Sequence, residues 1–199
     1  MRALIFDTET TGLKPGNICQ LSYIIDDNDR LTGVNYFFKV DYIEPGAQRI
    51  HGLNVSDLAE LSRGLGFSDH SDRIANDFSG CPVWIAHNFK FDYSFLQAEY
   101  RRCSKRVGAQ RQFCTMQYYA PIIKLPSSGS WSGARQYKYP NLAELTAFMR
   151  LSDGEITEFA RKTFGVGEGG LNFHDARYDC SAVYLSYKKG LAAGYGPKD

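Results

Sequence analysis

Two acidic side chains near the start of the chain could share a metal ion. Asp7 and Glu9 are separated by one residue, Thr8, and follow directly after an apolar run. Alternate residues of a β-strand face the same side, so both carboxylates would lie on one face. Two carboxylates at so short a separation both remain ionised in a site without water only when a cation lies beside them. Hard oxygen ligands of this kind favour Mg²⁺ or Mn²⁺. An ordinary solvated strand end is the simpler interpretation of this pair taken alone.

Two further acids and a histidine stand where predicted elements meet. Asp92 follows an apolar run and begins a segment with helical spacing, where it could instead be a helix N-cap. His174 precedes Asp179 by five residues, which would separate them by about 140° around a helix, so both cannot face one site if both are helical. We therefore expect His174 on the loop before the last helix, able to approach bound metals, and Asp179 fixed inside that helix. Alone, His174 would more often be a surface or capping residue.

The elements that must position these residues follow from hydrophobic periodicity and from turn residues. Strands are predicted at 2–9, 18–26, 31–40, 83–87 and 112–115, and helices at 68–78, 141–149, 155–164 and 175–189. A further helix after the fourth strand follows from the spacing of Tyr93, Leu96 and Tyr100. The first three strands are joined by short polar turns, which indicates an antiparallel meander. A meander followed by alternating strands and helices predicts an α/β fold with a mixed sheet.

Composition and length fit one packed domain. The chain has 199 residues, of which 43% are hydrophobic, and we expect a single domain over 1–190 with a short tail at 191–199. Its apolar runs are far shorter than the ~18 residues of a membrane span, and Asp7 interrupts the first run before it reaches the length of a signal-peptide core. We therefore expect a cytoplasmic protein with no membrane partner. The five cysteines form no C-x-x-C pair, which predicts free thiols.

Basic charge is segregated along the chain although the net charge is only +1. Residues 100–138 contain eight basic side chains and no acidic one, interleaved with aromatic residues that include Trp131. Cations for phosphates and aromatic faces for bases are typical of a channel for single-stranded nucleic acid. A solvated helix end followed by a loop with partly buried aromatics explains the stretch equally well. Within it, residues 125–139 are predicted to form a long surface loop.

Three motifs in this order resemble the DnaQ-like superfamily of 3′-to-5′ exonucleases, specifically its DEDDh class. They are residues 6–12, then His87-Asn88 with Phe91-Asp92, then His174 with Asp179. The related class with a catalytic tyrosine would have it four residues before the last aspartate, where this chain has Asp175. Residues 51–53 and 114–116 are weaker similarities. The resemblance implies a ribonuclease H-like fold, with a mixed five-stranded sheet (an antiparallel meander plus parallel strands) flanked by helices.

The resemblance also implies a mechanism and a site. Two Mg²⁺ or Mn²⁺ ions would be held by four carboxylates, those of Asp7, Glu9, Asp92 and Asp179, with His174 as general base. The substrate would be a nucleic acid with a free 3′ end, with single-stranded DNA favoured, and the products would be nucleoside 5′-monophosphates. The residues expected to contact the terminal nucleotide are Thr10, Thr11, Gly12, Leu13, His51, Leu53, Asn88 and Phe91. Core packing explains Leu53 and Phe91 equally well.

Other functions stay open at this point. Exoribonucleases share the same motifs and differ in contacts to the 2′-hydroxyl. The chain could serve a DNA polymerase as a proofreading subunit or belong to a repair complex, and a free-standing nuclease is favoured because only 191–199 follow the last predicted helix. A non-catalytic nucleic-acid-binding module would not need all five catalytic positions. Aspartyl phosphotransferases have the motif D-x-D-x-T. This chain has Glu9 in place of the second aspartate, which argues against that class.

Overall fold

A five-stranded mixed sheet forms the centre of the protein. The structure is a computed structural model that describes residues 2–126, 137–167, 171 and 173–196. The strands are β1 (Arg2–Thr10), β2 (Ile18–Asp27), β3 (Arg30–Phe37), β4 (Val83–Ala86) and β5 (Arg111–Cys114). Their order in the sheet is β3-β2-β1-β4-β5, in which the first three strands are antiparallel and β4 and β5 run parallel to β1. The predicted α/β fold, with its meander and added parallel strands, is confirmed.

Helices flank this sheet throughout the described part of the chain. They are α1 (Pro45–His51), α2 (Val55–Leu61), α3 (Phe67–Ser79), α4 (Phe89–Arg102), α5 (Thr115–Ile123), α6 (Leu142–Phe148), α7 (Asp153–Phe164) and α8 (Ala176–Ala192). The sequence did not predict α1, α2 or α5. Helices α1 and α2 have no apolar periodicity, because no residue of α1 and only Leu58 of α2 is buried. Helix α5 contains Pro121, a residue that normally breaks a helix.

Strand β1 is covered on both faces, which fixes it at the centre of the fold. Leu4 and Phe6 point into a cluster built around Trp84 and the apolar residues of α3 and α4. Ala3 and Ile5 point to the opposite face and pack against α8. Because side chains alternate along a strand, Asp7 and Glu9 continue the face that α8 covers. The carboxyl end of β1 therefore presents both acids to α8.

Several side chains of the basic, aromatic stretch have structural roles in the described part of the chain. Tyr100 and Tyr119 are fully buried, so their rings are not available to stack on bases. Arg102 pairs with Glu99, and Lys105 pairs with Asp72 of α3. Packing and ion pairs therefore account for these four side chains, and for them the composition gives no evidence of a nucleic-acid channel.

Most of the predicted 125–139 loop, including Trp131 and Arg135, lies outside the described residues. Its two ends are held together by a bridge between Pro126 and Tyr137 and by the 3.0 Å hydrogen bond that the Lys138 N–H donates to the Leu125 carbonyl. Helix α8 runs to Ala192, so the first two residues of the predicted tail are helical. The division into a domain and a tail stays a prediction. None of the helices in the described ranges has the length and hydropathy needed to cross a bilayer.

Candidate active site

Strand β1 supplies the first two carboxylates of the site. Glu9 is buried and Asp7 is partly exposed, and both lie on the α8 face. The pairing of β1 with β2 shifts register between Glu9 and Thr10. An irregularity of this kind bends the strand and re-aims its last side chains. The chain then leaves the sheet just beyond the two acids.

Helix α8 supplies the third carboxylate and the turn before it supplies the histidine. Asp175 caps the helix, accepting a 2.9 Å hydrogen bond from the Arg177 N–H, and Asp179 is buried in the first turn. His174 is exposed on the turn with φ 69°, and its backbone N–H donates to Asp179 Oδ2 at 3.1 Å. The structure thus places His174 before the helix and Asp179 inside it, as the 140° argument predicts.

Helix α4 brings the fourth carboxylate from the other side of β1. The N-cap of α4 is Asn88, so the alternative that Asp92 caps the helix is wrong; Asp92 lies inside the first turn. Its Oδ1 accepts the Thr8 hydroxyl at 2.7 Å and the Thr8 backbone N–H at 3.1 Å. Since Thr8 stands between Asp7 and Glu9, this two-point contact fixes the Asp92 carboxylate beside them.

These side chains converge on one open cavity of about 640 Å³. Its lining includes all of the predicted catalytic residues, namely Asp7, Glu9, Asp92, His174 and Asp179. Ligand atoms of Glu9, His174 and Asp179 lie within 4.8 Å of one another. Residues far apart in the sequence therefore share a single solvent-accessible site.

Removal from water raises the pKa of every carboxyl in this group. At Asp7 burial acts first, followed by repulsion from Asp92 and Asp179, and the pKa is well above the usual value. Burial followed by repulsion from Asp179 raises the pKa of Glu9 to about 9. Burial raises the pKa of Asp92 and of Asp179 to about 7, although hydrogen bonds to each carboxylate oppose the rise. The protein alone therefore does not neutralise the ionised cluster.

The donor set fits hard divalent cations. Four carboxylates with one nearby imidazole suit Mg²⁺ or Mn²⁺, which prefer oxygen ligands. Asp179 Oδ1 is buried and accepts no hydrogen bond from the described residues, whereas its Oδ2 is occupied by the His174 N–H. A buried carboxylate oxygen without a donor is costly unless a cation or water satisfies it. This oxygen is thus available to coordinate a metal.

The predicted nucleotide-contacting residues divide into two groups. Those that line the cavity are Thr10, Gly12, Leu13, His51, Asn88 and Phe91. Thr11 and Leu53 are not among the lining residues, and their contacts with a nucleotide stay predictions. The Thr11 hydroxyl exchanges 3.2 Å hydrogen bonds with the backbone of Asn17 and braces the turn between β1 and β2. Leu53 packs against a small core that includes Val40 and Leu58.

Exposed apolar side chains stand in the cavity wall. Leu13 is 79% exposed and Ile50 is 54% exposed. His51 accepts a 3.1 Å hydrogen bond at Nδ1 from the Leu53 N–H, and burial lowers its pKa, which favours the neutral ring. These groups offer apolar and aromatic surface beside the acids. Surfaces of that kind suit the base of a nucleotide.

Several lining residues escaped the sequence analysis. Glu44, Arg49 and Ile50 belong to α1 or its N-cap, and only Pro45 at the first helical position could have signalled that helix. His87 belongs to the second motif, but its bonds to Thr115 and to the Pro140 carbonyl appear only in the fold. Burial lowers the pKa of His87 to about 4, so it is a neutral bracing residue.

Comparisons with known proteins agree with this geometry. A family model, RNase_T, described as an exonuclease, matches residues 4–187. DNA polymerase III subunit epsilon of Salmonella typhimurium is 28% identical over 123 residues, which are 57% of this chain and 49% of that protein. The Rickettsia felis subunit is 35% identical over 108 residues, 50% of this chain and 44% of its own length. The matches thus span about half the length of these relatives.

Solved structures share the fold. E. coli Exonuclease I in complex with a dA16 oligonucleotide superposes with a TM-score of 0.66 and 20% sequence identity. The superposition covers 96% of this chain and 41% of that one. A complex of the same enzyme with dT13 gives a TM-score of 0.63. The described sheet and helices therefore have the arrangement found in that nuclease.

Thr8→Val tests whether the hydroxyl clamp supports metal binding. The variant loses the 2.7 Å bond to Asp92, which holds down the pKa of that carboxyl. We expect the Mn²⁺ affinity at neutral pH to fall about 10- to 100-fold, the range for residues that orient metal ligands. Calorimetric titration measures the affinity, and Thr8→Ser, which keeps the hydroxyl, should bind like the parent. Equal affinity of Thr8→Val and the parent would contradict the clamp.

The raised pKa values also predict how stability depends on pH. In the unfolded chain these carboxyls titrate near pH 4, whereas Asp92 and Asp179 titrate at about 7 and Glu9 at about 9 when folded. The folded state therefore retains protons that the unfolded state has lost. Without metal, the free energy of unfolding should fall from about pH 4 to about pH 9, and Mn²⁺ should suppress that fall. Urea denaturation in EDTA measures it, and a metal-free profile that is flat or rises would refute the account.

Proposed function

The chain belongs to the exonuclease family of the matching model, and from that premise we propose that it is a metal-dependent 3′-to-5′ exonuclease of the DEDDh class that acts on DNA. The observation that carries the proposal is the convergence of four carboxylates and His174 from β1, α4 and α8 on one cavity. A site of this composition suits phosphodiester hydrolysis. Single-stranded DNA is the substrate we favour.

The placement of the residues supports the roles that the family resemblance implies for them. We infer that Asp7, Glu9, Asp92 and Asp179 hold two Mg²⁺ or Mn²⁺ ions, which when bound would supply Lewis acidity for the reaction. His174 accepts a proton from the attacking water as its oxygen bonds to phosphorus. The bond from phosphorus to the 3′ oxygen of the penultimate nucleotide breaks, and that oxygen takes a proton from solvent. The product is a nucleoside 5′-monophosphate.

The exposed position of His174 supports this assignment. A general base must reach the proton that it removes, and a side chain on a turn can approach the water more freely than one inside a helix. Asp179 holds the turn through the His174 N–H, so the imidazole stays close to the carboxylates. His174 Nδ1 or Nε2 also lies near enough to Glu9 and Asp179 to serve as a ligand instead. Metal affinity separates these two roles.

The terminal nucleotide would lie against the apolar part of the cavity. Leu13 and Ile50 are exposed at its wall, and Phe91 lines it together with them. An exposed large apolar side chain at a cavity wall is a common feature of ligand sites. We propose that these three side chains contact the 3′-terminal base. His51, held neutral by burial, would contact the same nucleotide.

A DNA substrate is favoured by the names of the relatives. The curated relatives are DNA polymerase subunits, and the solved neighbour holds a deoxyadenosine oligonucleotide. The same names favour a DNA polymerase as partner. RNA is the alternative substrate, because the motifs do not distinguish the sugars. Matched DNA and RNA strands of one sequence decide between the two.

Asp7→Asn tests the proposed activity. The variant should shorten a 5′-labelled single strand more than about 100-fold more slowly than the parent in Mn²⁺, because even residues that only support metal ligands contribute 10- to 100-fold. A gel ladder of products measures the rate and the polarity. Asp72→Asn, at an exposed position of α3, is the matched control and should keep full activity. Full activity of Asp7→Asn, or a parent protein inactive on DNA and RNA, would rule out the proposal.

His174→Ala tests the general base. We expect kcat to fall about 100- to 10,000-fold at neutral pH, the range for a lost acid–base group. The affinity for Mn²⁺ should change little, because the four carboxylates would remain to hold the ions. Unchanged turnover would refute the assignment. A loss of Mn²⁺ affinity as large as the loss of kcat would make His174 a ligand instead.

A further inference from the structure

Arg49 has an unusual position for a cation. It is the only lysine or arginine in the lining of the active-site cavity, as far as the described residues show. The other charged side chains of the lining, apart from histidines, are Asp7, Glu9, Glu44, Asp92 and Asp179. Arg49 is exposed and forms no ion pair within the described ranges. A guanidinium in this setting is free to bind an anion that enters the cavity.

The backbone that carries Arg49 is fixed against the first motif. The Glu44 N–H, at the N-cap of α1, donates a 2.9 Å hydrogen bond to the Thr11 carbonyl. A Cβ at Gly12 would lie 2.3 Å from Glu44 Oε1, so this side chain packs directly on the glycine. At its other end α1 closes with the Gly52 N–H bonded to the Gln48 carbonyl at 2.8 Å. Arg49 therefore approaches the cavity from a wall anchored to the residues that follow Asp7 and Glu9.

Arg49 is not a partner of the carboxylate cluster. The shifts in the pKa of Asp7, Glu9, Asp92 and Asp179 come from burial, from other carboxylates and from hydrogen bonds, and Arg49 is not among their causes. Two divalent cations would balance the four carboxylates. The scissile phosphate would then lie at the metals, whereas the next phosphate of the strand would have no metal beside it. It still needs a cationic partner inside a partly enclosed cavity.

We propose that Arg49 binds the phosphate adjacent to the scissile phosphodiester on its 5′ side. The planar guanidinium matches two phosphate oxygens at once, which a lysine cannot do. This inference rests on the proposed nuclease function and adds a subsite to it. It predicts that the protein distinguishes a strand with a second charged phosphate from one without it.

A substrate with one neutral linkage tests the contact directly. In this substrate a methylphosphonate replaces the phosphate next to the scissile bond. The parent protein should lose about 10- to 100-fold in kcat/KM, the range for a hydrogen bond to a charged group. Arg49→Gln should lose a similar factor on the all-phosphate strand and little more on the methylphosphonate strand, because the two changes remove the same contact. Arg49→Lys should recover part of the loss.

Salt dependence supplies a readout that a merely structural role would not change. Removing one phosphate contact should reduce the slope of log(kcat/KM) against log salt by about 0.7, the value for single strands. Arg30→Gln, a matched change at an exposed arginine at the start of β3, on the end of the sheet opposite the cavity, should alter neither this slope nor the response to the neutral linkage. Unchanged Mn²⁺ affinity of Arg49→Gln shows that the metal site is intact.

The outcomes separate the two proposals. If the loss in kcat/KM caused by Arg49→Gln and the loss caused by the neutral linkage multiply when they are combined, the two changes act independently. That result would overturn the phosphate contact and leave the nuclease function in place. The phosphate contact would also be overturned if a neutral linkage several nucleotides further along the strand lowered kcat/KM as much as one next to the scissile bond. A parent protein that cleaves none of the strands would remove the nuclease function itself, and this inference with it.

Discussion

Repulsion among carboxylates held out of water is the constraint around which this structure is organised. Glu9, Asp92 and Asp179 are buried, and Asp7 joins them at the same cavity. Such a cluster costs folding free energy when ionised, so the surrounding elements must hold it rigidly. Strand β1 does so because both of its faces are packed, and α4 and α8 each deliver one acid from their first turn. A bound cation attracts the carboxylates and offsets this cost, so the same cluster gives the site its affinity for metal.

Small polar contacts complete the arrangement. The Thr8 hydroxyl fixes one oxygen of Asp92, and the His174 N–H fixes one oxygen of Asp179. The buried Asp179 Oδ1 is left without a donor among the described residues. The pattern is that of ligands oriented in advance for a metal, in which reorganisation on binding is small. Family membership and local geometry therefore point to the same chemistry.

Local rules in the sequence predicted the sheet, and the family resemblance implied the set of four acids, whereas neither predicted the tertiary contacts. Strand alternation placed Asp7 and Glu9 together, and helical geometry separated His174 from Asp179. The bond between Thr8 and Asp92 joins residues 84 apart and leaves no periodic signal. Helix α1 was missed because it buries no side chain, and the residue that we assign to a second phosphate lies there. The composition wrongly suggested that the ring of Tyr100 could stack on bases, whereas that ring packs in the core.

Diffraction from crystals soaked in Mn²⁺ tests the central claim most directly, since anomalous scattering locates the ions without reference to activity. The account predicts two anomalous peaks in the cavity, among the carboxylates of Asp7, Glu9, Asp92 and Asp179. Peaks on another surface, or no peak among these carboxylates at saturating Mn²⁺, would contradict it.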